Sequence, residues 1–402
     1  MSEQEDFRVV FLFGAGSSLR AGLVDVKRLT DEFLTTLDRS HEFEEPMKEK
    51  IRILSNIASD HFSPKRDLES IMTLVSDLNG EQQKKLFQSK YNQLDVLSDF
   101  DLKAINNHIH SYLRNALQNV NSHSVSYLFP LLGFSQNLEI FTLNYDGVLD
   151  IFLEKSRVDY TDGFSPYWSP HIFDDNRIRV KIYRLHGSLF WFKIPNGKVI
   201  RIPIRFDIQN MKYISGEDLD EMLIYPTLTK EKHYEIYSFL SNRFISKLRS
   251  SQLCIVMGYS FRDKDITDVI IEGLQSNQDL WIVIVSPHAT DHKQLLAVGT
   301  PEMNSRIICI DTDMEDILKG GKLYQGVRKL MKTISTEQIV WEKQLHSEGV
   351  AALWDTVLKR YYDLEARDRV AYIRNKLITQ YGILDTNIPK NFSSGQVQNP
   401  WK

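Results

Sequence analysis

RVVFLFGAGSS, residues 8–18, places a short apolar run directly before a glycine-rich loop. A run of this length that stops at Gly14 favours a buried strand of a parallel sheet. Similar apolar runs recur at Leu138–Thr142, Lys181–Leu185, Leu253–Met257, Leu280–Val285 and Arg306–Ile310. Several runs are followed by stretches with helical periodicity, at Asp263–Gln275, His288–Val298 and Glu315–Lys332. This alternation predicts an α/β fold with a parallel sheet and right-handed crossovers.

The segment between the first two predicted strands is far longer than a crossover requires. It has more than 120 residues, with helical periodicity at Arg66–Leu78 and Leu102–Leu117, whereas a crossover needs only about a dozen. We therefore expect a large helical insertion over about residues 40–134. Phe164–Pro226 is rich in aromatic, proline and turn residues, which indicates irregular strands and loops at the carboxyl edge of the sheet.

The C-terminal part of the chain predicts a separate helical segment. Residues 335–381 have helical periodicity, and Pro389–Lys402 is polar and reads as a flexible tail. The predicted division is a catalytic domain at residues 1–334 and a C-terminal helical segment with tail at residues 335–402.

Composition excludes several classes of protein. The 402 residues are 42% hydrophobic and 25% charged, which is ordinary for a globular protein and excludes disordered, collagen-like and coiled-coil chains. A net charge of -4 gives no overall basic field for nucleic acid, and two cysteines provide neither a disulfide framework nor a four-cysteine zinc site. No run approaches the roughly 20 apolar residues that span a bilayer. The acidic, polar start is unlike a signal peptide, so we expect a cytoplasmic protein.

Four short motifs at predicted strand ends carry the candidate chemistry. The first, Gly14-Ala15-Gly16-Ser17-Ser18, lets the backbone approach a ligand closely and aims helix N–H groups at a phosphate. It lacks the third glycine of the dinucleotide fingerprint, so a tight strand-to-helix turn stays an alternative.

The second and third motifs supply polar and titratable groups. In Thr142-Leu143-Asn144-Tyr145-Asp146, Asn144 and Asp146 can reach a ligand beyond the strand ends, or Asn144 can cap the following helix. In Leu185-His186-Gly187-Ser188, the imidazole makes His186 a candidate general base, although a structural histidine is the alternative.

The fourth motif is Gly258-Tyr259-Ser260, which follows the run Leu253–Met257. A Gly-x-Ser turn can hydrogen-bond ribose or phosphate, or it can lead into a helix that Asp263 or Asp265 caps. Ser286 stands at a similar strand end.

The order of the four motifs resembles that of the sirtuin family. Sirtuins carry a Gly-Ala-Gly loop, a Thr-x-Asn-x-Asp motif, a His-Gly motif and a Gly-x-Ser motif in this order on a Rossmann-like sheet. The resemblance covers roughly residues 8–312, interrupted by the helical insertion. The tyrosine of Asn-Tyr-Asp and the stretch from Gly258 to Asp265 are more similar to the bacterial sirtuin-like proteins of antiphage defence than to protein deacylases.

The resemblance implies a role for each motif in binding and cleaving NAD+. The loop that would hold the NAD+ pyrophosphate consists of Gly14, Ala15, Gly16 and Ser17. Asn144 would place water or the nicotinamide ribose, and His186 would act on the ribose hydroxyls. Asp146 would hold the carboxamide end.

The resemblance also suggests residues for the adenosine half of NAD+ and a further acidic residue, Asp25. Gly258, Ser260 and Ser286 would contact the adenosine half of NAD+. The Gly-Ile-Pro-Asp-Phe-Arg segment of deacylases reads Gly22-Leu23-Val24-Asp25-Val26-Lys27 here. Asp25 is retained as a cofactor-binding candidate, but the proline and arginine are not. An acyl-lysine substrate is therefore disfavoured and water becomes the expected acceptor.

The expected activity is hydrolysis of NAD+ to nicotinamide and ADP-ribose, which would deplete NAD+ in antiphage, abortive-infection defence. An ADP-ribosyltransferase or deacylase, and a non-catalytic module that binds NAD+ or ADP-ribose, are the alternatives. The size of the chain fits the kind encoded beside a HerA-type ring ATPase, which would be a partner. Aromatic residues of the C-terminal segment, such as Trp341 and Trp354, favour a homo-oligomer, with packing inside one chain as the alternative for each residue. No feature of the sequence points to nucleic acid or a membrane.

The cysteine count predicts a protein without zinc. Metal analysis of the purified protein should find no stoichiometric zinc, and a chelator should leave any NAD+ cleavage unchanged, because two cysteines cannot form the four-thiolate site. Stoichiometric zinc would instead reveal a site built from histidine and carboxylate ligands.

Overall fold

The computed structural model describes residues 8–39, 44–62, 67–118, 120, 122–194, 197–202, 220–223, 234–296 and 300–332. The strands are β1 Val9–Phe13, β2 Leu138–Thr142, β3 Tyr160–Thr161, β4 Val180–Arg184, β5 Gly187–Lys193, β6 Val199–Arg201, β7 Asp220–Leu223, β8 Leu253–Met257, β9 Trp281–Ser286 and β10 Ile307–Asp311. The first helices are α1 Val26–Arg39, α2 Glu45–His61, α3 Leu68–Leu78, α4 Glu81–Lys90, α5 Asp99–Gln118 and α6 Val148–Ser156. The later helices are α7 Tyr234–Ser250, α8 Lys264–Ser276, α9 Ala289–Leu296, α10 Pro301–Ser305, α11 Met314–Leu318 and α12, residues 322–332.

Seven strands form one parallel sheet in the order β10-β9-β8-β1-β2-β4-β3. The pairs β1–β8, β8–β9, β9–β10 and β3–β4 are parallel and in register, with Phe13 opposite Met257. From β1 the order runs to β2, β4 and β3 on one side and to β8, β9 and β10 on the other. This reversal is the Rossmann arrangement, so the predicted fold class is confirmed. In such sheets ligands bind beyond the carboxyl ends of the strands where the order reverses.

The chain divides into two compact units. The first unit consists of the residues up to Phe13, Tyr127–Ile140 and Arg243 onward. Its core is formed by β1, β8 and β9, whose side chains are buried almost throughout. The buried guanidinium of Arg306 donates to the carbonyl oxygens of Leu274, Asn277 and Leu280, and so joins the end of α8 to the start of β10.

The second unit comprises Gly14–Ser126 and Phe141–Asn242. It contains α1 and, as α2 to α5, most of the predicted helical insertion, and α3 and α5 follow the periodicity read from the sequence. Thr30 Oγ1 of α1 accepts a 2.9 Å hydrogen bond from the backbone of Leu68 at the start of α3. The Tyr112 hydroxyl of α5 donates to the carbonyl of Leu29. Polar contacts away from the surface thus link α1 to both α3 and α5.

Two expectations differ from the structure. The region after Phe164 contains a small antiparallel sheet in the order β6-β5-β7, which is more regular than the predicted loops. The helix predicted over Glu315–Lys332 is broken after Leu318, because Gly320 and Gly321 take φ of +65° and +71°. The predicted C-terminal helices and tail lie outside the described residues.

Within the described part of the chain, no helix combines the length and apolarity needed to cross a membrane.

Gly163 is a glycine whose replacement should be costly, for two separate reasons. Its φ is +93°, and an added Cβ would lie 2.4 Å from Trp168 Cζ3 and 2.8 Å from Phe173 Cε2. Gly163→Ala should lower the free energy of unfolding by about 3 kcal/mol, through the left-handed backbone and overpacking together.

Gly197→Ala is the matched control for Gly163→Ala. Gly197 has φ +81° with nothing within 4 Å of the added Cβ, so only the backbone cost of about 1–2 kcal/mol applies. If chemical denaturation gives the two variants equal losses of unfolding free energy, the packing argument is contradicted.

Candidate functional site

The glycine-rich loop forms a tight turn of 3-10 helix, Ala15–Ala21, directly after β1. The backbone N–H and hydroxyl of Ser17 both donate to the Gly14 carbonyl, at 2.9 and 2.7 Å. The turn ends at Gly22, whose φ of +91° allows the chain to reverse into α1. The tight-turn alternative is therefore present in the structure, and phosphate binding by Gly14, Ala15, Gly16 and Ser17 stays a prediction.

Asn144 fastens this loop to the end of β2. Its Nδ2 lies 3.1 Å from the Gly14 carbonyl, 3.1 Å from Ser17 Oγ and 3.0 Å from Ser18 Oγ. An amide nitrogen has two hydrogens, so these acceptors occupy its donor capacity. Within the described part of the chain no donor bonds to Oδ1. Asn144 can therefore offer an acceptor, but not a donor, to a ligand without releasing the loop.

Asp146 is a buried carboxylate at the start of α6. Its Oδ1 accepts from the backbone N–H of Val148 at 2.9 Å, so Asp146, and not Asn144, satisfies the start of this helix. Burial raises the pKa of Asp146, although hydrogen bonds from Val148 and Ser18 oppose the shift.

Ser18 connects the two polar side chains of the Asn-Tyr-Asp motif. Its buried hydroxyl accepts from Asn144 and hydrogen-bonds the Asp146 carboxylate. We did not single out Ser18 from the sequence. The available signal was the second serine of the glycine-rich loop, but nothing in its spacing indicates contact with a residue 128 positions further along the chain.

His186 lies in the sharp turn between β4 and β5. It is 6% exposed, and Gly187 after it has φ +77°. The ring of His186 lies 6.1 Å from that of Tyr145, centroid to centroid. Two backbone hydrogen bonds tie this turn to the Asn-Tyr-Asp loop, from Leu185 to Thr142 and from Leu189 to Tyr145. The structure thus joins the loops that carry Asn144, Asp146 and His186.

A cavity of about 60 Å³ opens beside these loops in the second unit. Its polar lining residues include Ser18, Glu69, Asn144 and Asp146. Its apolar lining residues include Leu29 of α1, Leu68 and Met72 of α3, and Leu113 and Leu117 of α5. Small-molecule sites also combine an apolar lining with a few polar groups, although they are usually larger, at about 300–1,000 Å³.

Asp25 lies at the start of α1. Its Oδ1 accepts from the backbone N–H of Arg28 at 2.8 Å, and it is exposed. Its neighbours Val24 and Val26 line the cavity, whereas Asp25 does not. Helix capping accounts for the geometry of Asp25, and a role in cofactor binding stays a prediction.

Gly258, Ser260 and Ser286 belong to the first unit. Gly258 has φ +64° and donates to the Val285 carbonyl at 3.0 Å, and Ser286 Oγ accepts from the backbone of His288. The next helix, α8, is capped by Asp263, as one sequence alternative expects. Phe261 adopts an unusual φ of +55°, with its ring 4.8 Å from Tyr259. Gly258 and Ser286 lie at neighbouring strand ends, and their contact with adenosine stays a prediction.

The described residues contain no group of three or more histidine, cysteine, aspartate or glutamate side chains that could hold a metal ion. Cys254 is fully buried in β8, and burial raises the pKa of its thiol.

The middle of the chain is similar to a known family. Residues 138–300 match the model of the SIR2-like domain, a match that spans less than half of the chain and includes three of the four motifs. No curated protein matches the chain.

Similarity to solved structures is also found. A Sir2 structure in complex with the inhibitor EX-527, 2'-O-acetyl-ADP-ribose and deacetylated p53 peptide is 10% identical, with a TM-score of 0.38 over 79% of this chain and 94% of that chain. A Sir2 homologue in complex with NAD is 13% identical, with a TM-score of 0.36 over 80% of this chain and 90% of that chain.

Loss of the Asn144 amide should destabilise the protein even without ligand. Asn144→Ala removes the amide that ties Gly14, Ser17 and Ser18 to the end of β2, although Ser17 still donates to the Gly14 carbonyl, and the loss of these buried hydrogen bonds should cost about 1–3 kcal/mol of unfolding free energy. Asn242→Ala, which removes one exposed hydrogen bond to Ser238, should change it by less than about 0.5 kcal/mol. Similar losses for both variants in chemical denaturation would contradict the anchoring role of Asn144.

Proposed function

We propose that this protein is an NAD+ glycohydrolase that cleaves NAD+ to nicotinamide and ADP-ribose. The observation that carries the proposal is the cavity bounded by the glycine-rich loop, Asn144 and Asp146, in a chain whose middle is SIR2-like. The nicotinamide ring of NAD+ is flat, carries a positive charge on its nitrogen and bears one polar carboxamide. The apolar lining from α1, α3 and α5 suits the faces of the flat ring, and Asp146 suits the carboxamide N–H groups.

The chemistry requires little acid catalysis. When the C1'–N1 bond of NAD+ breaks, the bonding electron pair stays on the nicotinamide nitrogen, which becomes neutral. The ribose passes through an oxocarbenium-like state, as in glycoside cleavage. Water then bonds to C1' and loses a proton, which gives ADP-ribose. The protein needs to orient the ribose, stabilise the developing positive charge and admit one water.

Asn144 and His186 have suitable groups for these tasks. Because the Asn144 amide N–H groups already bind the loop, its Oδ1 is the atom that we assign to water or to a ribose hydroxyl. His186 would accept a proton from a ribose hydroxyl or from the attacking water as a general base. Its position in a turn that is hydrogen-bonded to the Asn144 loop supports this assignment.

Water is the acceptor that we favour. Leu23, Val24 and Val26, which line the cavity, stand where deacylases have Ile-Pro and Phe, and the arginine of that segment is Lys27 here. A transferase would attach ADP-ribose to a protein. A deacylase would move an acyl group from lysine to ADP-ribose, and a binding module would leave NAD+ intact. Product analysis distinguishes all three.

The biological setting rests on the resemblance of the four motifs. We propose that NAD+ depletion serves antiphage defence by abortive infection, that the protein acts in the cytoplasm as a homo-oligomer, and that a HerA-type ring ATPase is its regulatory partner. NAD+ consumption in phage-infected cells that carry the protein, with and without the ATPase, tests this setting.

His186→Ala should abolish nicotinamide release while leaving the fold intact. General acid–base groups contribute about 10²–10⁴-fold to rate, so a loss in this range is expected. His171→Ala is the matched control, because His171 is an exposed residue of the short 3-10 helix Pro170–Asp174. Release by His186→Ala within a few-fold of wild type would make His186 structural and would remove the general base from the mechanism.

A further inference from the structure

A cluster of three buried charged side chains and a fourth that is 21% exposed lies next to the strand ends that precede Asp146 and His186. Arg184 and Asp150 form a close ion pair with side chains 1% and 0% exposed. Arg184 Nε also lies 3.4 Å from Asp162. Arg201 completes the set, with its guanidinium 2.6 Å from Asp150 and 3.3 Å from Asp162. The set is neutral overall, with two arginines and two aspartates.

The charges in this cluster hold one another ionised. Burial pushes the pKa of Asp150 upward, but Arg184 and Arg201 outweigh it and hold that pKa below its usual range. Burial likewise lowers the pKa of Arg184, and Asp150 and Asp162 outweigh it, so the pKa lies above its usual value. Stability alone does not require such a cluster, because apolar residues of similar volume often serve equally well or better.

Arg184 connects the cluster to the Asp146 loop. Its Nη1 donates to the backbone carbonyl of Asp146 at 3.1 Å, and its Nη2 pairs with Asp150 in α6. The carboxylate of Asp146 accepts from Val148 at the start of the same helix. One guanidinium therefore holds both Asp146 and the helix that follows it.

The cluster also anchors both sides of the His186 turn. Arg184 is the last residue of β4, two positions before His186. On the other side of the turn, the Trp191 indole of β5 donates to Asp162 at 3.2 Å, and Arg201 of β6 binds Asp150 and Asp162. His186 is thus held between two segments that meet at the same buried charges.

We propose that Arg184 and Asp150 are positioning residues that fix the Asp146 loop and the His186 turn against each other for the reaction. They touch neither substrate nor reacting atoms and act through the Asp146 backbone and the strand before His186. The proposal rests on the proposed NAD+ cleavage for its kinetic consequence, but its structural consequence is measurable without NAD+.

The structural test is hydrogen–deuterium exchange of the full-length protein without ligand. The amides of Leu185, Leu189 and Val148 are hydrogen-bonded between or within the two loops, so they report directly on this arrangement. Arg184→Gln should make their exchange about tenfold faster or more, because the loops lose their common anchor. The exchange of the amides in β9 should stay slow.

The kinetic test compares kcat and KM for nicotinamide release from NAD+. Arg184→Gln should lower kcat by about 100-fold with KM within about threefold of wild type, because misplacing catalytic groups affects the transition state more than ground-state binding. Arg184→Lys keeps the positive charge and should recover part of kcat.

Arg306→Gln is the matched control. Arg306 is a buried arginine of the first unit that donates to three backbone carbonyls, of Leu274, Asn277 and Leu280. The Arg306→Gln variant should have lower thermal stability, but its kcat and the hydrogen exchange at Leu185, Leu189 and Val148 should match those of the wild-type protein. If Arg184→Gln does not fold, Asp150→Asn, which preserves side-chain shape, takes its place.

Unchanged exchange at Leu185, Leu189 and Val148 in the folded Arg184 or Asp150 variant would overturn the proposal. Faster exchange with wild-type kcat, or an equal loss of kcat in Arg306→Gln, would overturn it as well. If the wild-type protein releases no nicotinamide, the proposed function fails, and the exchange measurement decides the positioning claim by itself.

Discussion

The buried ion pair between Arg184 and Asp150 is the constraint on which the geometry of the second unit depends. A guanidinium in this environment needs all of its partners, because removing one carboxylate leaves an uncompensated buried charge. Those partners are Asp150 on α6, Asp162 directly after β3, and the backbone carbonyl of Asp146. Arg184 is also the last residue of β4, so the partners that its guanidinium needs hold the start of the His186 turn in place.

Asn144 imposes a second constraint, on the glycine-rich loop. Its amide N–H groups are committed to Gly14, Ser17 and Ser18, so the loop keeps one shape before any ligand arrives. Preorganised groups are effective in catalysis because they need no rearrangement during the reaction. As a consequence, the Asn144 N–H groups are not available to a substrate. Any contact of Asn144 with a substrate is then made by its side-chain carbonyl oxygen, Oδ1.

The sequence predicted the central strands within about one residue, because buried parallel strands are continuous apolar runs, as at Leu253–Met257. It overextended the helix after Glu315 because periodicity ignores the left-handed conformation that Gly320 and Gly321 adopt.

The motif residues were found because they follow strands, but Ser18, Arg184 and Asp150 were not, since their partners are distant in the chain. A signal was nevertheless present: Arg184 interrupts the apolar run KIYRL, and Asp150 interrupts VLDIFL. A charge within a buried element requires a buried partner.

The central proposal is that NAD+ is the substrate and water the acceptor. The most direct measurement incubates the purified full-length protein with NAD+, alone and with the candidate ring ATPase, and quantifies nicotinamide, free ADP-ribose and protein-bound ADP-ribose. We predict nicotinamide and free ADP-ribose in equal amounts, with no ADP-ribose attached to protein. Nicotinamide accompanied by protein-bound ADP-ribose, or NAD+ that is bound but never cleaved, would contradict it.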